Sequence, residues 1–261
     1  MSEILLSESA WGIARLTLNR PEQRNALSPA LVNALIEALQ KLASDESVRV
    51  IELSAAGEKA FCAGGDLSGS GLGGDGGALS AHYGRGRFAE LLRALRDVGK
   101  PVVGVVHGPA LGGGFGLAMA CDIVIASEDA SFGAPEINVG LFPMMIMPIL
   151  ARSIPRKKLL EMILTGDKVS AREAFEWGFV NQVVPRADLR TAADAMLQKL
   201  VQKSPAILKL GRDAFYRMSE MSLDPALDYL VSQLTLNLST EDAMEGLAAF
   251  MQKRPPEWKG R

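Results

Sequence analysis

Along the first two thirds of the chain, short apolar segments of period two alternate with segments whose leucines recur at helical spacing; beyond residue 187 only the helical pattern continues. Ile13–Leu18 alternates as a half-buried strand does. Ser28 then stands as a helix cap with Pro29 at the first position, followed by Leu31, Leu35, Leu39 and Leu42 on one face. Val48–Leu53, Pro101–Val106 and Ile123–Ile125 read as further strands. Strands separated by helices are joined by crossovers, so the pattern predicts an α/β fold with parallel strands. After residue 187, Ser204-Pro205, Leu223-Asp224-Pro225 and Ser239–Asp242 each open a helix, the last running towards Lys253. The expected organisation is a core over 1–186 and a helical region over 187–261. No long linker separates them, and 261 residues suit one large domain with an appendage.

Composition narrows the class of partner. Hydrophobic residues make up 48% of the chain and charged residues 22%, the balance of a protein with a sizeable core. A net charge of −2 offers no basic face, so no nucleic-acid partner is expected. Cys62 and Cys121 are the only cysteines and both lie in apolar stretches, which predicts reduced thiols and a cytoplasmic location. Met1-Ser2-Glu3 has no basic stretch followed by an apolar run, so no signal peptide is expected there. The longest apolar stretch, Leu141–Ala151, is 11 residues long and broken by Pro143 and Pro148. A bilayer needs about 20 residues, so no membrane association is expected. No metal site is expected either.

Residues 68–86 are rich in Gly and Ser, which predicts a mobile loop. Two overlapping G-x-G-x-x-G matches fall here, Gly71-Gly73-Gly76 and Gly69-Gly71-Gly74. Neither directly follows a strand or opens a helix, as a dinucleotide fingerprint requires. His82 lies in the same segment, either solvated or available as an extra acid or base. His107, at a strand end, reads as structural.

Three segments carry the chemistry. Ala63-Gly64-Gly65-Asp66-Leu67 follows a strand; it is either an ordinary glycine turn with Asp66 as a cap, or a stretch where a ligand approaches the backbone. Gly108–Gly114 ends in three glycines before a helical stretch, Phe115–Cys121. Free amides at a helix start suit a phosphate or a developing oxyanion, and tight helix–sheet packing is the other reason for such glycines. No Lys-Ser/Thr pair follows, which excludes a P-loop. Ser131–Ile137 places Glu136 after Pro135 amid apolar residues. Such a carboxylate has a raised pKa if buried and is a turn residue if not.

Together these segments resemble the crotonase, or enoyl-CoA hydratase/isomerase, family. The resemblance runs from Asn19–Ser28 through the three segments, Cys121-Asp122-Ile123, Leu164–Asp167 and Ala171–Val180 to Glu245–Arg254. It implies a spiral of ββα turns with a C-terminal helical region that forms homotrimers or homohexamers. It implies an acyl-CoA thioester as substrate, with CoA part of that substrate and no other cofactor. By the same resemblance the amides of Gly65 and Gly113 hold the thioester oxygen and Glu136 is the catalytic carboxylate. CoA would lie along Ala63, Gly64, Gly65, Asp66 and Leu67 and near Arg24, with Lys253 and Arg254 as phosphate contacts or as a plain solvated helix end.

One position departs from the family pattern. Hydratases of the family carry two glutamates, and the position matching the first is Gly116 here. A single base suffices to move a double bond from C3–C4 to C2–C3, so the resemblance implies isomerisation through an enolate. Hydration by Glu136 alone and binding without turnover are the alternatives. Gly116 itself either leaves room for the acyl group or permits close packing, and Phe142 with Met144–Met147 forms either an acyl pocket or plain core.

Overall fold

The computed structural model of the protein describes residues 3–66 and 77–261, the side chains of 77–81 excepted. Leu67 and both glycine fingerprints lie outside the described residues. The strands are β1 (Leu5–Ala10), β2 (Ile13–Leu18), β3 (Val50–Ala55), β4 (Val102–Val106), β5 (Ala110–Leu111), β6 (Ile123–Ser127), β7 (Ser131–Gly133), β8 (Lys168–Ser170) and β9 (Gln182–Val184). The helices are α1 (Pro29–Ser44), α2 (Gly77–Asp97), α3 (Gly113–Met119), α4 (Met147–Ser153), α5 (Arg156–Thr165), α6 (Ala171–Glu176), α7 (Leu189–Val201), α8 (Pro205–Met218), α9 (Leu223–Leu238) and α10 (Glu241–Gln252).

β1 and β2 form an antiparallel hairpin whose two turn residues, Trp11 and Gly12, both have positive φ, as a tight hairpin turn demands. From β2 onward the larger sheet is parallel, in the order β1-β2-β3-β4-β6-β9. A second sheet, β5-β7-β8, runs beside it. The chain gives one strand to each sheet and then a helix: β4, β5 and α3, followed by β6, β7, α4 and α5. A bridge from Cys62 to Ala110 ties the preceding turn, β3 to α2, into the same stack. The ββα spiral expected from the sequence is therefore present.

β4 shows why these strands are apolar throughout. Val102 and Val106 enter the larger core beside Leu31, Leu35 and Leu91, while Val103 and Val105 face Leu189, Ala193 and Leu197 of α7. A strand covered on both faces has no solvent side to make polar. α7, the first helix beyond residue 187, is thus part of the sheet's covering. It is also held there by Arg190, which donates to both oxygens of the buried Glu52 at 2.7 and 2.8 Å.

Two findings concern the helices that follow the site. Residues 77–86, expected in a loop, form the first turns of α2. Leu91, Leu92 and Leu95 fix that helix to the core, and once nucleated a helix extends through local hydrogen bonds even across glycines. At the other end, α8, α9 and α10 pack on one another and leave apolar side chains uncovered, Val231 at 67% and Phe250 at 83% exposure among them. Among the described residues no helix is long and apolar enough to cross a membrane.

Candidate active site

The site grows from the contact between two successive spiral turns. Leu27 and Gly65 form a parallel bridge, in which Leu27 N donates to Gly64 O at 2.8 Å and Asp66 N donates to Leu27 O at 3.2 Å. A parallel bridge engages the groups on either side of its central residue and leaves that residue's own N–H directed away. Gly65 N therefore has no acceptor among the described residues, and the space where a Cβ would stand is open. Gly64 has φ +98°, and a Cβ there would lie 2.9 Å from Leu111 O and 3.4 Å from Gly113 N. No other residue fits this approach.

The three consecutive glycines have three different duties. Gly112 has φ +52° and donates to Gly133 O at 2.9 Å, ending β5. Gly113 opens α3, so its N–H has no partner within the helix. A Cβ on Gly113 would lie 3.7 Å from Gly65 N, beside Leu27 and Phe88. Gly114 packs on Cys62, whose Cβ and Sγ would be 2.6 and 2.8 Å from an added Cβ. Close packing is thus realised at Gly114, while the Gly113 N–H has no backbone acceptor among the described residues. The Gly65 backbone nitrogen lies next to Gly113.

Glu136 reaches the same place from the other side. It sits in a short 3-10 turn, Pro135–Val139, and its carbonyl accepts from Leu141 N at 3.0 Å. Its Oε1 lies 3.0 Å from where a Cβ on Gly112 would stand. Its Oε2 is buried with no hydrogen-bond partner. Burial raises the pKa of this carboxyl, opposed by a hydrogen bond from its own amide. An ionised oxygen without a donor is a strong base, and here it adjoins the turn that supplies the Gly113 amide.

Gly116 is not open space. It is buried on α3, and a Cβ there would lie 2.8 Å from Ile146 Cβ, overlapping that side chain. The position matching the first hydratase glutamate is filled by isoleucine, which decides between room for an acyl group and close packing in favour of packing. Gly116→Glu is consequently expected to destabilise the fold by about 3 kcal/mol or more, combining overpacking with a buried carboxylate. Chemical denaturation measures this, and an unchanged midpoint would contradict the packing.

The remaining site candidates are distributed as follows. Ala63 N donates to Arg24 O at 3.0 Å, which brings Arg24 alongside the glycine segment with an exposed side chain. Asp66 is paired with Arg20 at 2.8 Å, and the residues that follow it lie outside the described ones. Arg20 and Asn25 were not singled out by sequence reasoning, although both lie in the Asn19–Ser28 segment. Buried Asn25 donates to Ala56 O at 2.9 Å and Ala60 O at 3.1 Å, fixing the loop that carries Arg24. Lys253 caps α10 with φ +52° and is exposed, and among the described residues no hydrogen bond or ion pair joins it to the glycines or Glu136. Arg254, expected as a phosphate contact or a solvated helix end, donates to both oxygens of Glu245 at 2.6 and 2.8 Å. His82 is exposed on α2 rather than in a loop. His107 lies just past β4, where burial and the nearby Arg186 lower its pKa. The apolar run past Glu136 divides: Ile146 is core, while Met144 and Met145 are exposed. Among the described residues no group of three or more His, Cys, Asp or Glu could hold a metal.

Comparison with known proteins gives a consistent picture. Residues 8–261 match the family described as enoyl-CoA hydratase/isomerase. The chain is 37% identical to carnitinyl-CoA dehydratase of Salmonella paratyphi A, over the whole length of both. An enoyl-CoA hydratase structure from Mycobacterium smegmatis superposes with a TM-score of 0.94 at 38% identity, covering 98% of this chain and 99% of that one. Human enoyl coenzyme A hydratase domain-containing protein 3 superposes with a TM-score of 0.93 at 33% identity, covering 98% and 100%.

Proposed function

The chain belongs to the enoyl-CoA hydratase/isomerase family, and on that premise we propose that it isomerises a 3-enoyl-CoA to the 2-enoyl-CoA with Glu136 as the single base. In this reading the thioester oxygen lies against the amides of Gly65 and Gly113. Glu136 removes a proton from C2, and the electron pair delocalises onto the thioester oxygen as a dienolate that the two amides stabilise. The protonated Glu136 then delivers the same proton to C4, and the double bond rests between C2 and C3. No other group has to gain or lose a proton. The observation that carries the proposal is the buried Oε2 of Glu136, free of any partner, together with Ile146 in the place where a second carboxylate would have to stand.

The CoA portion would follow Ala63, Gly64, Asp66 and Leu67. Arg24 supports a phosphate contact, since it forms no ion pair with any described residue. Asp66, held by Arg20, would fix the turn rather than meet an anion. Lys253 would reach a phosphate only in a neighbouring copy. Gly116 drops out of the substrate contacts because its side is filled.

A second reading is favoured by the likeness to the Salmonella relative named carnitinyl-CoA dehydratase. Glu136 would take the C2 proton of a 3-hydroxyacyl thioester and pass it to the departing hydroxyl, which leaves as water. Assays on 3-enoyl-CoA and 2-enoyl-CoA separate the two. Conversion of the 3-enoyl substrate without hydration of the 2-enoyl one supports isomerisation. Hydration of the 2-enoyl form favours the second reading, and binding without turnover of either would sink both.

The same proposal includes assembly into a trimer or hexamer through α9 and α10, whose uncovered apolar side chains need a partner surface. Light scattering is expected to give a multiple of the 27.9 kDa chain mass. A particle of single-chain mass at micromolar concentration would contradict this and remove Lys253 from consideration.

A further inference from the structure

One face of α3 connects the candidate site to a separate space. Gly116 N donates to Gly112 O and Ala120 N donates to Gly116 O, both at 3.0 Å, so these three residues stand one above another at one-turn intervals. Against Gly112 lies the Glu136 carboxylate, and against Gly116 lies Ile146. At the level of Ala120, its C-cap, the same helix borders a cavity of about 930 Å³ between α2, α3, α4 and α8. Met119, Ala120, Met145, Ile149, Gly211 and Phe215 are among its lining residues. Ile146 does not line it, yet its neighbour Met145 and Ile149, one turn on, both do. Ile146 is 2% exposed and fills the level between the carboxylate and the cavity.

We propose that Ile146 is the floor of the acyl compartment: the acyl group runs from the Gly65 and Gly113 amides past Glu136 and stops at Ile146, so the protein selects short acyl groups and the cavity behind is closed to them. This rests on the acyl-CoA reading above. Gly112 and Gly116 are four residues apart, about 6 Å along the helix, which is roughly the reach of a four-carbon chain with the width of its terminal methyl included. A longer acyl group meets a buried, β-branched side chain with little freedom to turn aside. Shortening that side chain would join the compartment to a space lined largely by apolar groups and large enough for a long chain.

Binding of saturated butyryl-CoA and decanoyl-CoA tests this without depending on turnover. The native protein is expected to favour the four-carbon thioester. Ile146→Ala is expected to tighten decanoyl-CoA binding about 10-fold or more and to change butyryl-CoA binding less than about threefold. Gly211 lines the cavity with no atom within 4 Å of an added Cβ, so Gly211→Trp places an indole in that space and obstructs it at little strain. It should leave native butyryl-CoA binding unchanged and cancel the gain in the double variant.

Native binding of decanoyl-CoA as tight as butyryl-CoA would overturn the proposal. So would an Ile146→Ala preference identical to native, or weakened native decanoyl-CoA binding in Gly211→Trp alone. Should Ile146→Ala fail to fold, Ile146→Val must show a smaller shift in the same direction, and its absence counts against the proposal. A shifted binding preference in a protein that turns over no enoyl-CoA leaves Ile146 as the floor and removes the proton-transfer reading. No binding of any acyl-CoA removes both.

Discussion

Replacing Glu136 by Gln is expected to lower enoyl-CoA turnover by about 100-fold or more while acyl-CoA binding persists. Glutamine keeps the shape but cannot accept the C2 proton, and the cradle it faces consists of backbone amides that the substitution does not touch. The same variant should be more stable than native at neutral pH. Burial raises the folded-state pKa of Glu136 above the ordinary value of 4.5, so below that value the carboxyl is neutral in both folded and unfolded states. As pH rises through the folded pKa, ionising a half-buried group without a donor lowers native stability. The substituted glutamine cannot ionise, so the variant's advantage in melting temperature should be present at pH 7 and vanish towards pH 4. The acid limb of the native pH–rate profile should likewise lie above 4.5. A variant with near-native turnover would end the single-base mechanism, and a native protein as stable as the variant at pH 7 would end the burial account.

Gly113→Pro is expected to reduce turnover by about 10²- to 10³-fold, the loss typical of one oxyanion donor. Proline ordinarily breaks helices, but Gly113 is the first residue of α3, where proline is tolerated and its missing N–H removes no helical bond. The nearest side-chain atoms to an added Cβ are Leu27 Cδ1 at 3.2 Å and Phe88 Cζ at 3.5 Å, both ends of side chains that can shift. Gly113→Ala keeps the amide and meets the same neighbours, so it serves as the control and should retain most activity. Equal losses in the two variants would mean that space, not the amide, matters at this position. Full activity in a folded Gly113→Pro protein would remove its N–H from the reaction.

How far the sequence could be read depended on whether a signal was local. Ser28 caps α1 as expected, its hydroxyl accepting from Leu31 N at 3.2 Å, because cap and helix are adjacent in the chain. The strands β2, β3, β4 and β6 were legible from their apolar runs. The smaller sheet was not: β5 has two residues and β7 and β8 three each, too short for a period to register. β1 carries mostly exposed residues on an edge and has no apolar run to announce it.

In the site, Glu136 stood out because a carboxylate amid apolar neighbours is locally anomalous. The separate duties of Gly112, Gly113 and Gly114 were not legible, since they depend on φ and on Cys62 and Gly65 from an earlier turn. Ile146 gave no signal at all. An isoleucine in an apolar run is ordinary, and only its packing against the bare backbone of Gly116 makes it matter.

The bridges that stack one spiral turn on the next also set when the cradle can exist. Gly65 comes from the turn that begins with β3 and Gly113 from the turn that begins with β4, and they meet only where Gly64 abuts Leu111 and Gly113. During refolding, a chain with one turn formed holds a single amide with nothing opposite it. The second appears only on docking, when closure of the long intervening segment has already been offset by core contacts. Activity would then return in step with turn-to-turn docking and not with helix formation, which makes turnover a clock for the late step of assembly.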